Sequence, residues 1–227
     1  MAVAPVKAYL DLISQPCRAL LIFLKHNQIP HTVQSVALRR GEQKSAEFTR
    51  LNPMQKVPVI EHKGFVLTES DAILKYLATV CNVPEHWYPR EPMRRARVDE
   101  YTAWHHTNTR LHTHKVFLSE IIMSSMLGRP ADPAELQKAL EELEQTLQKL
   151  DEMFLKRQAF LCGDDISIAD LLAVCEIMQP LGGGRDVLKN HPNLHSWRSR
   201  VQAVLGEPFN EAHSILYRLR DKTAAKR

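Results

Sequence analysis

The repeat of the apolar residues changes along this chain, and that change limits the possible folds more than any other feature. Up to about residue 81, short apolar runs alternate between a two-residue and a 3.6-residue period, as strands alternating with helices require. Residues 6–12 read as a strand. Residues 16–26 read as a helix carrying Leu20, Leu21, Phe23 and Leu24, with Pro16 suited to its first turn. Residues 32–38 read as a second strand and 42–51 as a short helix. Two brief strands follow at 57–61 and 65–67, separated by the turn residues His62, Lys63 and Gly64. Thr68 then opens a helix, with Asp71 placed to reach back to it in a capping box. The expected order is βαβαββα.

After Asn82 no strand pattern returns. Pro84, Pro89 and Pro92 form a connector that no helix crosses unbroken. Helices are expected at 91–126 (one long helix or a pair), 133–154, 167–179, 193–205 and 207–220. Leu136, Leu140, Leu143, Leu147 and Leu150 advance in steps of four and three, the stripe of a packed bundle. Ser167 and Asp170, flanked by Ile166 and Leu171, form a capping box with a hydrophobic staple. The Gly182–Gly184 run follows a helix, which makes it a helix stop and not a phosphate loop. The chain is thus divided into a sheet-containing domain (1–82), a linker (83–91) and an all-helical domain (92–227).

Charge narrows the partners. The net charge is only +4, and the one dense basic run, Arg94, Arg95 and Arg97, leads straight into Asp99 and Glu100 with no aromatic platform, so no nucleic-acid partner is expected. The four cysteines have no paired spacing and lie in or beside apolar segments, which points to a reducing compartment. No leader opens the chain, and the apolar run 19–24 is bracketed by Arg18 and Lys25. A cytoplasmic location with no membrane span is expected. His105 and His112 stand two helical turns apart with no completing carboxylate, so no metal is expected.

Three features carry chemistry. Ser14 ends the first strand just before a helix N-terminus, where unpaired N–H groups and about half an elementary charge favour an anion. Pro58 follows Val57 at a strand start. It is either an edge-strand proline or part of a cis bond that turns the backbone of Val57 outward to pair with a peptide ligand. Glu69 can receive an ammonium while Ser70 and its helix N-terminus receive a carboxylate; read alone, this is merely a cap. Together the three features suit a small peptide with an amino acid head at one end and a thiol toward the other, a description that glutathione meets.

The segment from Tyr9 to Arg18, Lys56-Val57-Pro58, Leu67 to Ser70, Pro84 to Pro89, Arg95 to Tyr101 and the capping box at Ser167 resemble a theta-class glutathione transferase. The resemblance implies a thioredoxin-like βαβαββα domain followed by a C-terminal helical bundle, and a homodimer for which residues 94–101 are the candidate face. It places the catalytic serine on Ser14, the backbone-pairing residue on Val57, and the γ-glutamyl clamp on Glu69 and Ser70. Lys56 takes the glycyl carboxylate. Gln43 stands where the family usually has a histidine and still offers an N–H donor. An electrophile pocket is expected between the domains, lined by Leu12, Trp104, Thr107, Arg110 and the last helix. Longer relatives cover this site with an extra C-terminal segment, whereas this sequence stops at Arg227, so an open site is expected.

The implied activity is conjugation of the glutathione thiolate, as co-substrate, to small hydrophobic electrophiles, with reduction of hydroperoxides as a companion reaction. The alternative is a non-catalytic ligand-binding module of the same fold. Ser14-x-x-Cys17 occupies the place of a redox Cys-x-x-Cys, but with serine first the attacking thiolate is missing, and Cys17 reads as a buried helix residue.

Overall fold

The computed structural model describes residues 4–123, 128, 132–156 and 158–225. Four strands, β1 (Val6–Leu10), β2 (His31–Ser35), β3 (Val59–His62) and β4 (Phe65–Thr68), form one sheet in the order β2-β1-β3-β4. β1 runs parallel to β2 and antiparallel to β3, and β3 and β4 form a hairpin. Val6, Ala8 and Leu10 alternate into the core, while Tyr9 on the other face meets Phe48 edge-on.

Helix α1 (Gln15–His26) is buried from Gln15 through Leu24. Its flanks explain why: α3 (Ser70–Val80) packs on it within its own half, and two helices of the second half close over the rest. The short α2 (Ala46–Leu51) starts where Ser45 Oγ accepts from the N–H of Phe48. Residues 38–44 ahead of it form two 3₁₀ turns, so the expected helix at 42–51 covers only its second part. The capping box expected at Thr68 does not form. Thr68 stays in β4, the N-cap is Glu69 at φ +63° with no side-chain cap, and Asp71 is drawn to Lys75 at 2.8 Å.

The second half begins with α4 (Pro92–His105), capped by the Glu91 carboxylate, and α5 (Thr109–Phe117). The two are separate because Asn108 leaves the helical region and its side-chain amide donates to the carbonyl of Trp104. Beyond α5 the turn widens over Leu118–Ile122, and Met126 lies outside the described residues. Helix α6 (Pro133–Lys149) buries Leu143 and Leu147 and continues through a wide turn with Leu150 in the core, so the leucine stripe is bundle packing.

Helix α7 (Ile168–Ile177) is buried at every residue and forms the centre of this half. The Asp170 carboxylate accepts from Ser167 N–H at 2.9 Å, Leu161 N–H at 2.8 Å and Trp197 Nε1 at 2.8 Å, so the capping box also ties two distant segments to α7. After it comes a 3₁₀ turn, Gln179–Gly183, ended by Gly184 at φ +84°, a left-handed conformation in which glycine carries no Cβ penalty. Helices α8 (Pro192–Leu205) and α9 (Glu207–Ala224) complete the bundle, and α9 packs against α1.

Candidate active site at the start of helix α1

The turn 11–14 between β1 and α1 is braced on its N–H side by Asp11, whose carboxylate accepts from Ile13 N–H and whose carbonyl accepts from Ser14 N–H, both at 3.0 Å. Ser14 is the N-cap of α1 at φ −82°, ψ 125°, yet its hydroxyl makes no capping bond. The first-turn N–H groups of α1 therefore have no side-chain acceptor at this cap.

Two concavities meet here. One, of about 400 Å³, has an apolar wall that includes Ile13, Leu38, Leu111 and Phe117, and polar edges formed by Ser14, Arg39, Arg110, His114 and Gln179. The other, of about 150 Å³, is a cleft formed by Asn52, Lys56, Val57, Pro58, Glu69 and Ser70 against Pro16. His106 and Arg110 border both.

The Val57–Pro58 bond is cis. Val57 precedes β3 and is outside the sheet ladder. Asn52, which sequence reasoning missed, holds this loop: its amide donates to the Lys56 carbonyl at 2.8 Å and its oxygen accepts from Met54 N–H at 3.0 Å. The signal was the Asn52-Pro53 dipeptide, a turn former. Glu69 holds positive φ without being glycine, a conformation that costs about 1–3 kcal/mol and that clusters at binding sites.

Of the sequence-derived residues, the structure gathers Lys56, Val57, Pro58, Glu69 and Ser70 in the cleft and Ser14 and Arg110 in the larger cavity. Gln43 lines neither; its Oε1 is buried without a partner. Leu12, Trp104 and Thr107 do not line the cavity either. Trp104 turns to Phe154, with ring centroids 5.0 Å apart, and Thr107 sits exposed in the break between α4 and α5. Their places are taken by His106, Leu111, His114 and Phe117, because the break resets the face that α5 presents. The last helix enters through Ile215, beside Arg39 and Arg40 in a neighbouring hollow.

The titratable groups follow their burial. Desolvation pushes the Cys17 thiol up to about 11, against a smaller opposing effect of the Ser14 hydroxyl, so Cys17 is protonated at neutral pH. His105, expected at a surface, interface or pocket, is instead fully buried and driven down to about 3, chiefly by desolvation. His114 is lowered by burial and by Arg110. Glu176, inside α7, is pushed up to about 7 by burial, against Arg110 and Arg18. Among the described residues no group of three or more His, Cys, Asp or Glu side chains could hold a metal, and no helix is long and apolar enough to cross a membrane.

A four-stranded sheet half, a helical half and a cleft where they meet at the start of α1 define a transferase architecture that sequence comparison identifies. The glutathione S-transferase N-terminal domain matches residues 13–80, and the glutathione S-transferase C-terminal domain matches residues 110–204. Bos taurus glutathione S-transferase theta-1 is 46% identical over 221 residues, 97% of this chain and 92% of that protein. The apo form of human glutathione S-transferase T1-1 superposes with a TM-score of 0.92 at 45% identity, covering 95% of this chain and 91% of that one. Human glutathione transferase theta-2, in complex with glutathione and an unknown ligand, gives 0.91 at 39% identity, covering 97% and 91%. The chain belongs to the glutathione S-transferase family, and within it to the theta class.

Proposed function

We propose that this protein conjugates glutathione to small hydrophobic electrophiles, with Ser14 stabilising the thiolate. The observation that carries the reading is the Ser14 hydroxyl, which makes no capping bond to α1, borders an apolar cavity at the N-terminus of that helix and adjoins a cleft lined by Lys56, Val57, Glu69 and Ser70. Glutathione fits the cleft with its γ-glutamyl ammonium at Glu69, its adjacent carboxylate at Ser70 and the N-terminus of α3, its cysteinyl backbone along Val57 and its glycyl carboxylate at Lys56. Its sulfur then points toward Ser14, and the electrophile occupies the larger cavity. Gln43 does not share this cleft, so Lys56 carries the glycyl contact.

The energetics are sufficient. A free thiol has a pKa near ~8.5, and lowering it by about two units takes roughly 2.7 kcal/mol of preference for the anion. One charge-assisted hydrogen bond from Ser14, about 1.5–3 kcal/mol, plus the helix terminus, about 0.3–1 kcal/mol, supplies that. The thiol proton leaves to solvent. The sulfur lone pair attacks the electrophilic carbon, a C–S bond forms, and the leaving group departs with its bonding pair. Ser14 acts as a donor throughout and is never the nucleophile. Arg110, at the junction of cavity and cleft, faces the negative charge that develops on the leaving group.

The test is the ultraviolet absorbance of the thiolate when glutathione is added at neutral pH, followed by conjugate formation with a panel of halides, epoxides and hydroperoxides. The signal is expected in the wild type and displaced to higher pH in Ser14→Ala. Identical titrations of the two proteins would refute the assignment. We also propose a homodimer. Exposed Phe65 and Val66 on β4, and exposed Met93 next to Arg94 at the start of α4, supply apolar surface for it. Sedimentation as a monomer at micromolar concentration would contradict it.

A further inference from the structure

The carbonyl side of the turn that carries Ser14 is held by two buried side chains, one from each half of the molecule. Arg18, fully buried in α1, donates from Nη1 to the carbonyls of Leu12 at 2.9 Å and Ile13 at 3.2 Å. Its Nη2 crosses to the helical half, donating to the Cys175 carbonyl at 2.9 Å and to Gln179 Oε1 at 2.5 Å. Gln179 closes the loop, because its Nε2 donates back to the carbonyl of Ile13 at 3.1 Å. The orientation of this amide is fixed by its surroundings: reversed, it would set two donors against each other at Arg18 and two oxygens at Ile13.

Gln179 is also part of the wall of the 400 Å³ cavity, and the 3₁₀ turn it begins packs between α5, which carries Arg110 and His114, and α9. One residue thus touches the electrophile cavity and the peptide unit directly before Ser14. Ile13 itself lines the same cavity.

We propose that Gln179 is a positioning residue, which by holding the Ile13 carbonyl sets the direction of the Ser14 hydroxyl and so couples filling of the electrophile cavity to stabilisation of the thiolate. This rests on the reading of Ser14 given above. Arg18 alone is not enough, since its bond to Ile13 is the longer of its two turn contacts and the carbonyl has a second acceptor position that Gln179 fills. The coupling is reciprocal: an electrophile that favours the bonded pose of Gln179 lowers the thiol pKa, and a thiolate at Ser14 tightens that electrophile.

The experiment is a double-mutant cycle on bound glutathione, read by thiolate absorbance against pH in wild type, Gln179→Leu, Ser14→Ala and the double variant. Leucine keeps the approximate volume and adds no charge. Gln179→Leu is expected to cut the thiolate fraction at neutral pH by roughly three- to tenfold, the scale of about one neutral hydrogen bond. No further fall is expected when Ser14 is already alanine, and affinity for glutathione at acid pH, where the thiol is protonated, is expected to hold. A Gln179→Leu titration identical to wild type overturns the proposal. So does an equal shift in both backgrounds, which is the signature of a general packing defect.

If Ser14→Ala leaves the titration unmoved, the reading of Ser14 fails and this proposal falls with it. If Ser14→Ala shifts it and Gln179→Leu does not, only this proposal falls. Should the leucine variant not fold, Gln179→Glu serves in its place. It keeps the acceptor for Arg18 and opposes an oxygen to the Ile13 carbonyl, and the cycle separates its added charge, which acts in both backgrounds, from positioning, which acts only where Ser14 is present.

Discussion

Replacing Glu176 by glutamine should change how stability depends on pH, by an amount the structure allows to be worked out. The Glu176 side chain is buried at 1% exposure within α7. Its Oε2 accepts from Thr113 Oγ1 at 3.4 Å and its Oε1 has no partner. Arg18 from α1 and Arg110 from α5 are its charged neighbours, with Gln15 at the first turn of α1. Burial wins over these, and the carboxyl sits at about 7 against an ordinary 4.5.

A carboxyl raised in this way binds its proton more tightly folded than unfolded, so the native state holds more protons between the two values and stability falls as pH rises through that window. The penalty is absent below about 4.5, grows toward about 7 and is complete above it. A difference of about 2.5 units (7 − 4.5) corresponds to roughly 3 kcal/mol. Glutamine keeps an acceptor for Thr113 and does not titrate. Urea unfolding at fixed protein concentration should therefore show the variant gaining about 3 kcal/mol relative to wild type between pH 4.5 and pH 8, whatever their offset at acid pH. Parallel stability curves across that range would refute the burial argument for this group.

Glu69→Gly should relieve the positive φ and stabilise the fold by about 1 kcal/mol while weakening glutathione binding roughly tenfold or more, measured by calorimetry of unfolding and of binding. Asp170→Ala should cost about 3–5 kcal/mol, because three buried donors, Leu161 N–H, Ser167 N–H and Trp197 Nε1, lose their acceptor together; a melting temperature within a degree or two of wild type would contradict this. Cys17→Ala should cost about 1 kcal/mol of stability and leave conjugation intact, and thiol reagents should label Cys17 only on unfolding. Turnover that requires Cys17 would instead point to thiol–disulfide exchange.

The alternation of periods, the prolines of the connector and the capping box at Ser167 are local signals, which is why they located the elements and the break between the halves. The gathering of Lys56, Val57, Pro58, Glu69 and Ser70 in one cleft was legible for the same reason: they lie within one stretch of the chain that folds back as a single hairpin and helix start. The wall of the larger cavity was not, because it depends on where α5 begins. Arg110, His114 and Phe117 are spaced by four and three, one helix face, but that face is known only once Asn108 is seen to break the helix after His105.

Still less legible were Arg18, Glu176 and Gln179, polar residues in or beside apolar helices, for which the sequence alone suggests exposure. Burial of such groups is costly unless each finds a partner, and a partner here comes from the opposite half in each case: Arg18 for Gln179, Ile13 for Gln179 in return, and Gln15 for Glu176, which also accepts from Thr113 of its own half. A pattern of apolar periods describes each half alone and carries no trace of bonds between them. The residues for which it fails therefore lie where the two halves meet, and there Arg18 and Gln179 hold the carbonyls of the turn that carries Ser14.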